Sequence, residues 1–172
     1  MLLNPKPIRL LVLCTGNSAR SIMAEALFNR LFQGRIQAFS AGSQPTGRVN
    51  PLALEQLGNW EAEHLPRSKS WDEFLDPEAT PLDIMLTVCG NAGQACPQFP
   101  GAPERVHWDL PDPAAVQASE DSQRDAFSQC YATLHTRISQ LQQQLAGQPE
   151  QTLIPAAIAR LMRSISDKGQ TP

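Results

Sequence analysis

A short apolar run at Ile8–Leu13 leads directly into a polar loop, and a helix-like segment at Ser21–Leu31 follows that loop. Two of the loop residues, Gly16 and Asn17, tolerate tight backbone curvature. Free N–H groups at a helix N-terminus bind tetrahedral oxyanions, and both phosphate and arsenate fit such a loop. The sequence therefore predicts an oxyanion-binding loop that consists of Thr15, Gly16, Asn17, Ser18, Ala19 and Arg20.

Cys14 opens this loop and is the candidate nucleophile, because the positive potential of a helix N-terminus stabilises a thiolate. Arg20 adds a planar fork of donors that can bind two oxyanion oxygens at once. Ser21, next to the arginine, is placed to donate a hydrogen bond to the thiolate. Two plainer interpretations stay open: Cys14 is a small core residue at the end of a strand, and Ser18 and Ser21 are helix N-caps.

The remaining pattern alternates short apolar runs with helix-like segments, which favours an α/β fold with a parallel sheet covered on both faces. Open sheets of this kind bind ligands at the carboxyl ends of their strands. Cys14 follows the first predicted strand and Cys89 the third, so both are expected at that edge. Strands are predicted at 8–13, 36–40, 83–88 and 106–108, and helices at 21–32, 50–57 and 121–145.

The length of 172 residues allows one domain with a substantial core, which we assign to residues 1–148. Residues 149–172 are predicted to form a C-terminal helical extension, because apolar residues recur there at helical spacing from Leu153 to Met162. This helix is expected to pack on the domain, and a role in oligomerisation is the alternative.

Charge and hydropathy limit the partners of the protein. It has 14 basic and 17 acidic residues and a net charge of −3, without a basic stripe, so nucleic acid is not expected as a partner. The apolar run at the N-terminus is far shorter than the roughly 20 residues that span a membrane. A membrane association is therefore not expected, and a cytoplasmic location is predicted.

Cys89 and Cys96 enclose a glycine-containing stretch of six residues that can fold back on itself. Two cysteines form a disulfide when their Cα atoms come within about 7 Å, which such a stretch permits. The alternatives are two unrelated buried cysteines, or a zinc site completed by Cys14 or His107, although this spacing departs from the usual zinc pattern. No metal site is predicted, and Cys130 is expected to be a core residue.

Acidic residues follow the fourth predicted strand. Asp112 lies between two prolines and could protonate an oxygen that leaves the oxyanion when Cys14 attacks. Asp109 competes for this role, and either residue could instead be a turn residue or a helix cap. His107 is expected to be a packing residue.

Further motifs add to the Cys14 loop, and together they resemble the arsenate reductases built on the low-molecular-weight tyrosine phosphatase fold. The resemblance extends over most of the chain and implies a four-stranded parallel open sheet flanked by helices. The motifs outside the loop are Met23-Ala24-Glu25, Ser40–Ser43, Val49–Pro51, Ser68–Phe74, Thr87–Cys89, Cys96-Pro97, His107-Trp108 and Asp112-Pro113.

The resemblance also implies catalytic roles. Cys14 attacks arsenate, Arg20 and the loop amides hold it, Ser21 stabilises the thiolate, and Asp112 protonates the leaving oxygen. Cys89 then attacks the Cys14 adduct, which releases arsenite, and Cys96 resolves the Cys14–Cys89 disulfide. The Cys89–Cys96 disulfide is reduced by thioredoxin, or by glutathione with glutaredoxin, and Cys96 favours thioredoxin.

Other functions and one cofactor remain open at this point. A low-molecular-weight protein tyrosine phosphatase would share the Cys14 loop and Asp112 but would leave Cys89 and Cys96 idle. A non-catalytic arsenical-binding protein would use the thiols without turnover. In some relatives a potassium ion is held partly by residues matching Asn17 and Glu25, so potassium is the one cofactor that the resemblance raises.

Overall fold

The computed structural model describes residues 6–58, 66–90, 96–149 and 153–168. Two short 3-10 helices, Trp71–Phe74 and Pro113–Ala115, connect the main elements. The strands are β1 (Ile8–Cys14), β2 (Ile36–Gly42), β3 (Ile84–Thr87) and β4 (Glu104–His107), and the helices are α1 (Arg20–Phe32), α2 (Pro51–Leu57), α3 (Glu120–Ala146) and α4 (Pro155–Lys168).

The four strands form one parallel sheet in the order β2-β1-β3-β4. The predicted fold class is confirmed. The register aligns Cys14 with Gly42 on one side, and Leu13 with Thr87 on the other. Because the chain leaves β1 toward β2 and later returns to add β3 on the opposite side, a cleft opens between the carboxyl ends of β1 and β3. Cys14 ends β1, and Cys89 lies two residues beyond β3.

Strand β4 begins two residues earlier than predicted, because Glu104 and Arg105 interrupt the apolar pattern that marks a strand. Both residues lie on an edge strand, where polar side chains reach solvent while the backbone still pairs with β3. Only Val106 of this strand is buried, so the sequence carried a weak signal for its start.

Burial of β1 and α1 provides most of the core that supports the predicted loop. Leu10, Leu11, Val12 and Leu13 have no exposed surface, as expected for a central strand covered on both faces. Helix α1 is buried along nearly its whole length, since it packs between the sheet and helix α3. The loop at 14–19 is therefore held at both ends by fully packed elements.

Helix α3 is long and amphipathic, and its buried residues recur at intervals of three or four positions. It begins at a Ser119 cap that accepts the N–H of Ser122 at 3.0 Å, and Glu120 and Asp121 follow in the first turn. The buried residues are Phe127, Cys130, Leu134, Ile138, Leu141 and Leu145.

Helix α4 packs against strand β4 and helix α3. Its Met162 carbonyl accepts the indole N–H of Trp108 at 2.8 Å. Arg163 donates to the Arg105 carbonyl at 2.7 Å and pairs with Glu104, so the helix covers the edge strand. No helix in the described part of the chain has the length and apolar character needed to span a membrane.

Truncation of Met162 tests the contribution of helix α4. Met162 is fully buried, so Met162→Ala should lower the free energy of unfolding by about 3 kcal/mol. The exposed Arg160 on the same helix provides the control, and Arg160→Ala should change it by less than about 0.5 kcal/mol. Urea unfolding followed by circular dichroism measures both. Equal stability of the two variants would show that α4 is not part of the cooperative fold.

Candidate active site

The carbonyl groups of the loop after β1 point outward, because the segment Ser43–Asn50 binds them with its own N–H groups. Ser43 donates to the Cys14 carbonyl at 3.3 Å, and Gln44 donates to the Thr15 carbonyl at 2.9 Å. Thr46 donates to Gly16 at 3.0 Å and Asn50 to Ser18 at 2.9 Å. Since a peptide unit is planar, a carbonyl that points outward directs the N–H of the following residue inward.

The inward N–H groups remain available for an anion. Within the described residues, no hydrogen-bond partner is found for the main-chain N–H groups of Gly16, Ser18 and Ala19. Ala19 occupies the N-cap position of α1 and provides no side-chain cap, and the first turn contains no acidic residue. Neither Ser18 nor Ser21 is the helix cap that the plainer interpretation required. The positive end of α1 is thus uncompensated and faces the loop.

The side chain of Asn17 determines which way the Ser21 hydroxyl points. The main-chain N–H of Lys69 donates to Asn17 Oδ1 at 2.8 Å, which fixes the amide orientation. Asn17 Nδ2 therefore donates to Ser21 Oγ at 2.8 Å. With its oxygen accepting that bond, the Ser21 hydroxyl donates to Cys14 Sγ, 2.9 Å away. The main-chain N–H of Asn17 also donates to Cys14 Sγ, at 3.2 Å.

Two hydrogen-bond donors, the Ser21 hydroxyl and the Asn17 N–H, are therefore directed at the Cys14 sulfur. Cys14 is 3% exposed, and Asn17 and Ser21 have no exposed surface. Asn17 has a φ of 46°, in the left-handed region that asparagine tolerates better than most residues. The sequence did not reveal the role of Asn17 in orienting Ser21, which depends on a residue 52 positions away.

Gly42 is a second residue that the sequence pattern did not single out for the site. A Cβ atom on Gly42 would lie 2.4 Å from the Thr15 carbonyl oxygen and 3.0 Å from the Asn17 Cβ atom. Any side chain would therefore push the loop away from β2. One sequence feature could have indicated this role. Gly42 ends the strand that pairs with the Cys14 strand, where a glycine allows the loop to approach closely.

Arg20 and Asp112 lie next to each other beside the oxyanion loop. The Arg20 guanidinium donates to the Leu110 carbonyl at 2.9 Å, and its other terminal nitrogen lies 3.9 Å from Asp112 Oδ2. Asp112 is about half exposed and accepts the N–H of Ala114 at 3.0 Å, so it also caps the short helix that follows. The structure thus brings Asp112, rather than Asp109, to the loop.

Asp109 is exposed and acts on a different residue. The charge of Asp109 opposes the lowering of the Arg137 pKa that burial causes. The Arg137 guanidinium lies over the Trp108 ring, 5.8 Å from its centroid. Asp109 therefore belongs to the α3 side of the molecule rather than to the oxyanion loop.

Cys89 lies beside the loop. Its Sγ atom is 3.4 Å from the hydroxyl of Thr15, the residue that follows Cys14, and the side chain is 4% exposed. Val88 donates its N–H to the Leu13 carbonyl at 3.0 Å, which extends the β1–β3 pairing up to the site. The Thr15 hydroxyl can donate to a Cys89 thiolate and thus links the second thiol to the oxyanion loop.

Cys96 is more exposed than Cys14 and Cys89 and lines a cavity of about 330 Å³ on the β3–β4 side. Its Sγ atom lies 3.4 Å from Met85 Sδ. Burial raises the pKa of the Cys96 thiol, and the Arg105 guanidinium opposes that shift. Residues 91–95, between Cys89 and Cys96, lie outside the described residues, and all four cysteines are free thiols.

Two candidate residues, Cys130 and His107, lie outside the oxyanion loop. Cys130 is buried on α3, and burial raises its pKa to about 11, which keeps the thiol protonated. The expected packing role of His107 is wrong, because its side chain is exposed at the end of the edge strand, with Nδ1 2.6 Å from the Thr87 hydroxyl. In the part of the chain that the structure describes, no group of three or more His, Cys, Asp or Glu side chains forms a metal site.

The fold and this loop define a class of enzymes in which a cysteine thiolate attacks a bound oxyanion. Residues 9–151 match the family described as low molecular weight phosphotyrosine protein phosphatase, and the chain belongs to this family.

Arsenate reductases and a tyrosine phosphatase are similar to the chain. The arsenate reductase of Halalkalibacterium halodurans is 32% identical over 130 residues, which covers 73% of this chain and 88% of that protein. The crystal structure of an arsenate reductase from Archaeoglobus fulgidus is 26% identical, with a TM-score of 0.53, and the match covers 76% of this chain and 98% of that one. A tyrosine phosphatase from Escherichia coli K30 shares the fold at a TM-score of 0.60 and 21% identity, over 80% of this chain and 97% of that one.

Gly42→Ala tests whether close contact between β2 and the loop shapes the anion site. The added methyl group would displace the Thr15 carbonyl and turn the loop amides away from the anion. Sulfate binding measured by calorimetry should weaken at least about tenfold, a change of roughly 1.4 kcal/mol. Gly147→Ala is the matched control, because no atom lies within 4 Å of a Cβ there. Unchanged sulfate affinity in the Gly42 variant would contradict this geometry.

Proposed function

We propose that this protein is an arsenate reductase in which Cys14, Cys89 and Cys96 form a disulfide relay that detoxifies arsenate. The observation that carries the proposal is the position of Cys89, which lies buried beside Thr15 of the oxyanion loop. A phosphatase has no need of a second thiol at this position, whereas reduction of the bound oxyanion requires one. The arsenate reductase of H. halodurans, which matches most of the chain, supports the same conclusion.

The first step is nucleophilic attack by the Cys14 thiolate on the arsenic atom of arsenate. The free amides of Gly16, Ser18 and Ala19 and the Arg20 guanidinium bind the oxygens, while the Asn17 N–H donates to the attacking sulfur. A bond forms between Cys14 Sγ and arsenic, and one arsenate oxygen leaves as water after Asp112 donates a proton. The half-exposed Asp112 carboxyl group lies 3.9 Å from Arg20, within reach of an oxygen that Arg20 binds.

The second step is the reduction itself. The Cys89 thiolate attacks Cys14 Sγ, and the sulfur–arsenic bond breaks with its electron pair passing to arsenic. Arsenic is reduced from As(V) to As(III), arsenite leaves, and the two thiols are oxidised to a Cys14–Cys89 disulfide. The Thr15 hydroxyl, 3.4 Å from Cys89 Sγ, stabilises the attacking thiolate.

The third step restores the nucleophile. The Cys96 thiolate attacks Cys89 Sγ, which releases the Cys14 thiolate and leaves a Cys89–Cys96 disulfide. This step requires the chain between Cys89 and Cys96 to bring the two sulfurs together, since Cys96 Sγ lies against Met85. Arg105, which opposes the rise in the Cys96 pKa, favours the attacking thiolate.

An external dithiol must reduce the Cys89–Cys96 disulfide after each turnover. Cys96 is more exposed than the two other relay cysteines, so an external thiol can reach it. We assign thioredoxin as the donor on the basis of the resemblance, with glutathione and glutaredoxin as the alternative. A cytoplasmic location accords with this scheme, because cellular reductants keep thiols reduced there.

Serine substitutions separate arsenate reduction from phosphatase chemistry. Cys14→Ser should abolish both arsenate reduction and hydrolysis of a small aryl phosphate, because both need the nucleophile. Cys89→Ser should lower arsenate turnover at least about a thousandfold, the scale of a lost catalytic group, and retain any aryl phosphate hydrolysis. Arsenite release and nitrophenol absorbance measure the two activities.

Cys130→Ser is the matched control for these variants, since Cys130 takes no part in the relay and serine, like its protonated thiol, adds no charge near Arg20, Asp112 and Cys14. It should keep the arsenate turnover of the unmodified protein if the variant is folded. Arsenate turnover that survives Cys89→Ser would exclude the relay. Equal loss of both activities in folded Cys89→Ser protein would contradict the role given to Cys89.

A further inference from the structure

Ser68 contacts the oxyanion loop through its side chain, and the catalytic steps do not use it. Its hydroxyl donates to the Gly16 carbonyl at 3.3 Å and accepts the N–H of Gly47 at 3.1 Å. The other hydrogen bonds to the outward carbonyls of the loop come from main-chain N–H groups. Among the residues that the structure describes, Ser68 is therefore the one side chain that holds an outward carbonyl of this loop.

The Gly16 carbonyl accepts two hydrogen bonds, which is the full capacity of a carbonyl oxygen. Thr46 donates its main-chain N–H at 3.0 Å, and the Ser68 hydroxyl supplies the second bond. Because Ser68 also accepts the N–H of Gly47, it joins the oxyanion loop to the turn that follows Thr46. Loss of the hydroxyl would remove both of these connections at once.

The orientation of the Gly16 carbonyl determines where the N–H of Asn17 points. A peptide unit is planar, so an outward carbonyl directs the N–H of the next residue inward. The Asn17 N–H donates to Cys14 Sγ at 3.2 Å. The Ser68 hydroxyl is thus connected to the nucleophilic sulfur through a single peptide unit.

Lys69, the next residue, is connected to the same sulfur by a second route. Its main-chain N–H donates to Asn17 Oδ1 at 2.8 Å, and Asn17 Nδ2 in turn donates to Ser21 Oγ. The Ser21 hydroxyl donates to Cys14 Sγ at 2.9 Å. Both donors to the sulfur are therefore oriented by two consecutive residues that are distant from the loop in sequence.

Strand β2 determines where these two residues lie. The Lys69 carbonyl accepts the N–H of Gly42 at 2.9 Å, and Ser70 forms a parallel bridge with the same glycine. Strand β2 pairs with β1 up to Cys14, which is aligned with Gly42. The hydroxyl of Ser68 and the N–H of Lys69 are thus held in a defined position relative to the nucleophile.

We propose that Ser68 is a positioning residue whose hydroxyl sets the orientation of the Gly16–Asn17 peptide and thereby holds the Asn17 N–H on the Cys14 sulfur. Attack on a bound oxyanion requires the nucleophile to have a defined direction, and this peptide fixes one of the two donors that provide it. The role does not depend on which oxyanion Cys14 attacks, so it stands or falls separately from arsenate reduction.

Ser68→Ala removes the hydroxyl and leaves every main-chain bond in place. Exchange of the Asn17 amide proton with deuterium, followed by NMR, should become roughly fivefold faster, because the Gly16 carbonyl loses one of its two hydrogen bonds. Ser68→Thr keeps a hydroxyl at this position and should restore the slow exchange. A Ser68→Thr variant that exchanges as fast as Ser68→Ala would show that the hydroxyl does not hold the peptide, and it would overturn the proposal.

Ser70→Ala is the matched control. Ser70 is half-buried like Ser68, and its hydroxyl accepts the N–H of Asp72 at 3.1 Å, which is outside the loop. Each alanine variant should lower the midpoint of thermal unfolding by about 3 °C or less. Only Ser68→Ala should accelerate exchange at Asn17. Unchanged Asn17 exchange in Ser68→Ala, or equal acceleration in both alanine variants, would overturn the proposal.

Single-turnover kinetics separate this role from a general displacement of the loop. With arsenate at saturation, arsenite release by Ser68→Ala should slow by about threefold, while sulfate affinity should stay within about twofold, because the anion is bound by other amides. Sulfate affinity that falls as much as the rate would overturn the proposal. Faster Asn17 exchange in a protein that releases no arsenite would support the role of Ser68 and contradict only the proposed arsenate reduction.

Discussion

The outward orientation of the loop carbonyls is the constraint on which the rest of the site depends. Four of them are bound by N–H groups of residues 43–50, and each directs the N–H of the residue that follows it toward the centre of the loop. An anion site made from main-chain amides needs no reorganisation when the anion binds, because the protein has already oriented its dipoles. The uncapped N-terminus of α1 adds its positive potential to the same point.

The sheet order supplies the second requirement, which is to bring two distant thiols together. Cys14 and Cys89 are 75 residues apart in the chain, yet they follow adjacent parallel strands. The crossover between β1 and β3 leaves a cleft at the carboxyl ends of these strands. Thr15, which follows Cys14, reaches across this cleft and places its hydroxyl 3.4 Å from Cys89 Sγ. In our proposal the loop that binds the oxyanion therefore lies next to the thiols that supply the electrons for its reduction.

Local signals in the sequence were sufficient for the fold class, for the Cys14 loop and for the helices, because each depends on a short periodic segment. The parts that could not be predicted arise from distant contacts. Gly42 matters through its approach to Thr15, and Asn17 matters through the main chain of Lys69. Asp112 and Asp109 were equivalent by spacing, so the choice of Asp112 came from the resemblance, and the structure places Asp112 3.9 Å from Arg20.

The central claim is that three thiols of one chain reduce arsenate, and an anaerobic single-turnover experiment tests it most directly. Fully reduced protein is mixed with arsenate without external reductant, the released arsenite is counted, and the disulfide is mapped by mass spectrometry. Our account predicts one arsenite per chain and a disulfide between Cys89 and Cys96. Absence of arsenite, with all thiols still free in a protein that hydrolyses aryl phosphate, would contradict it.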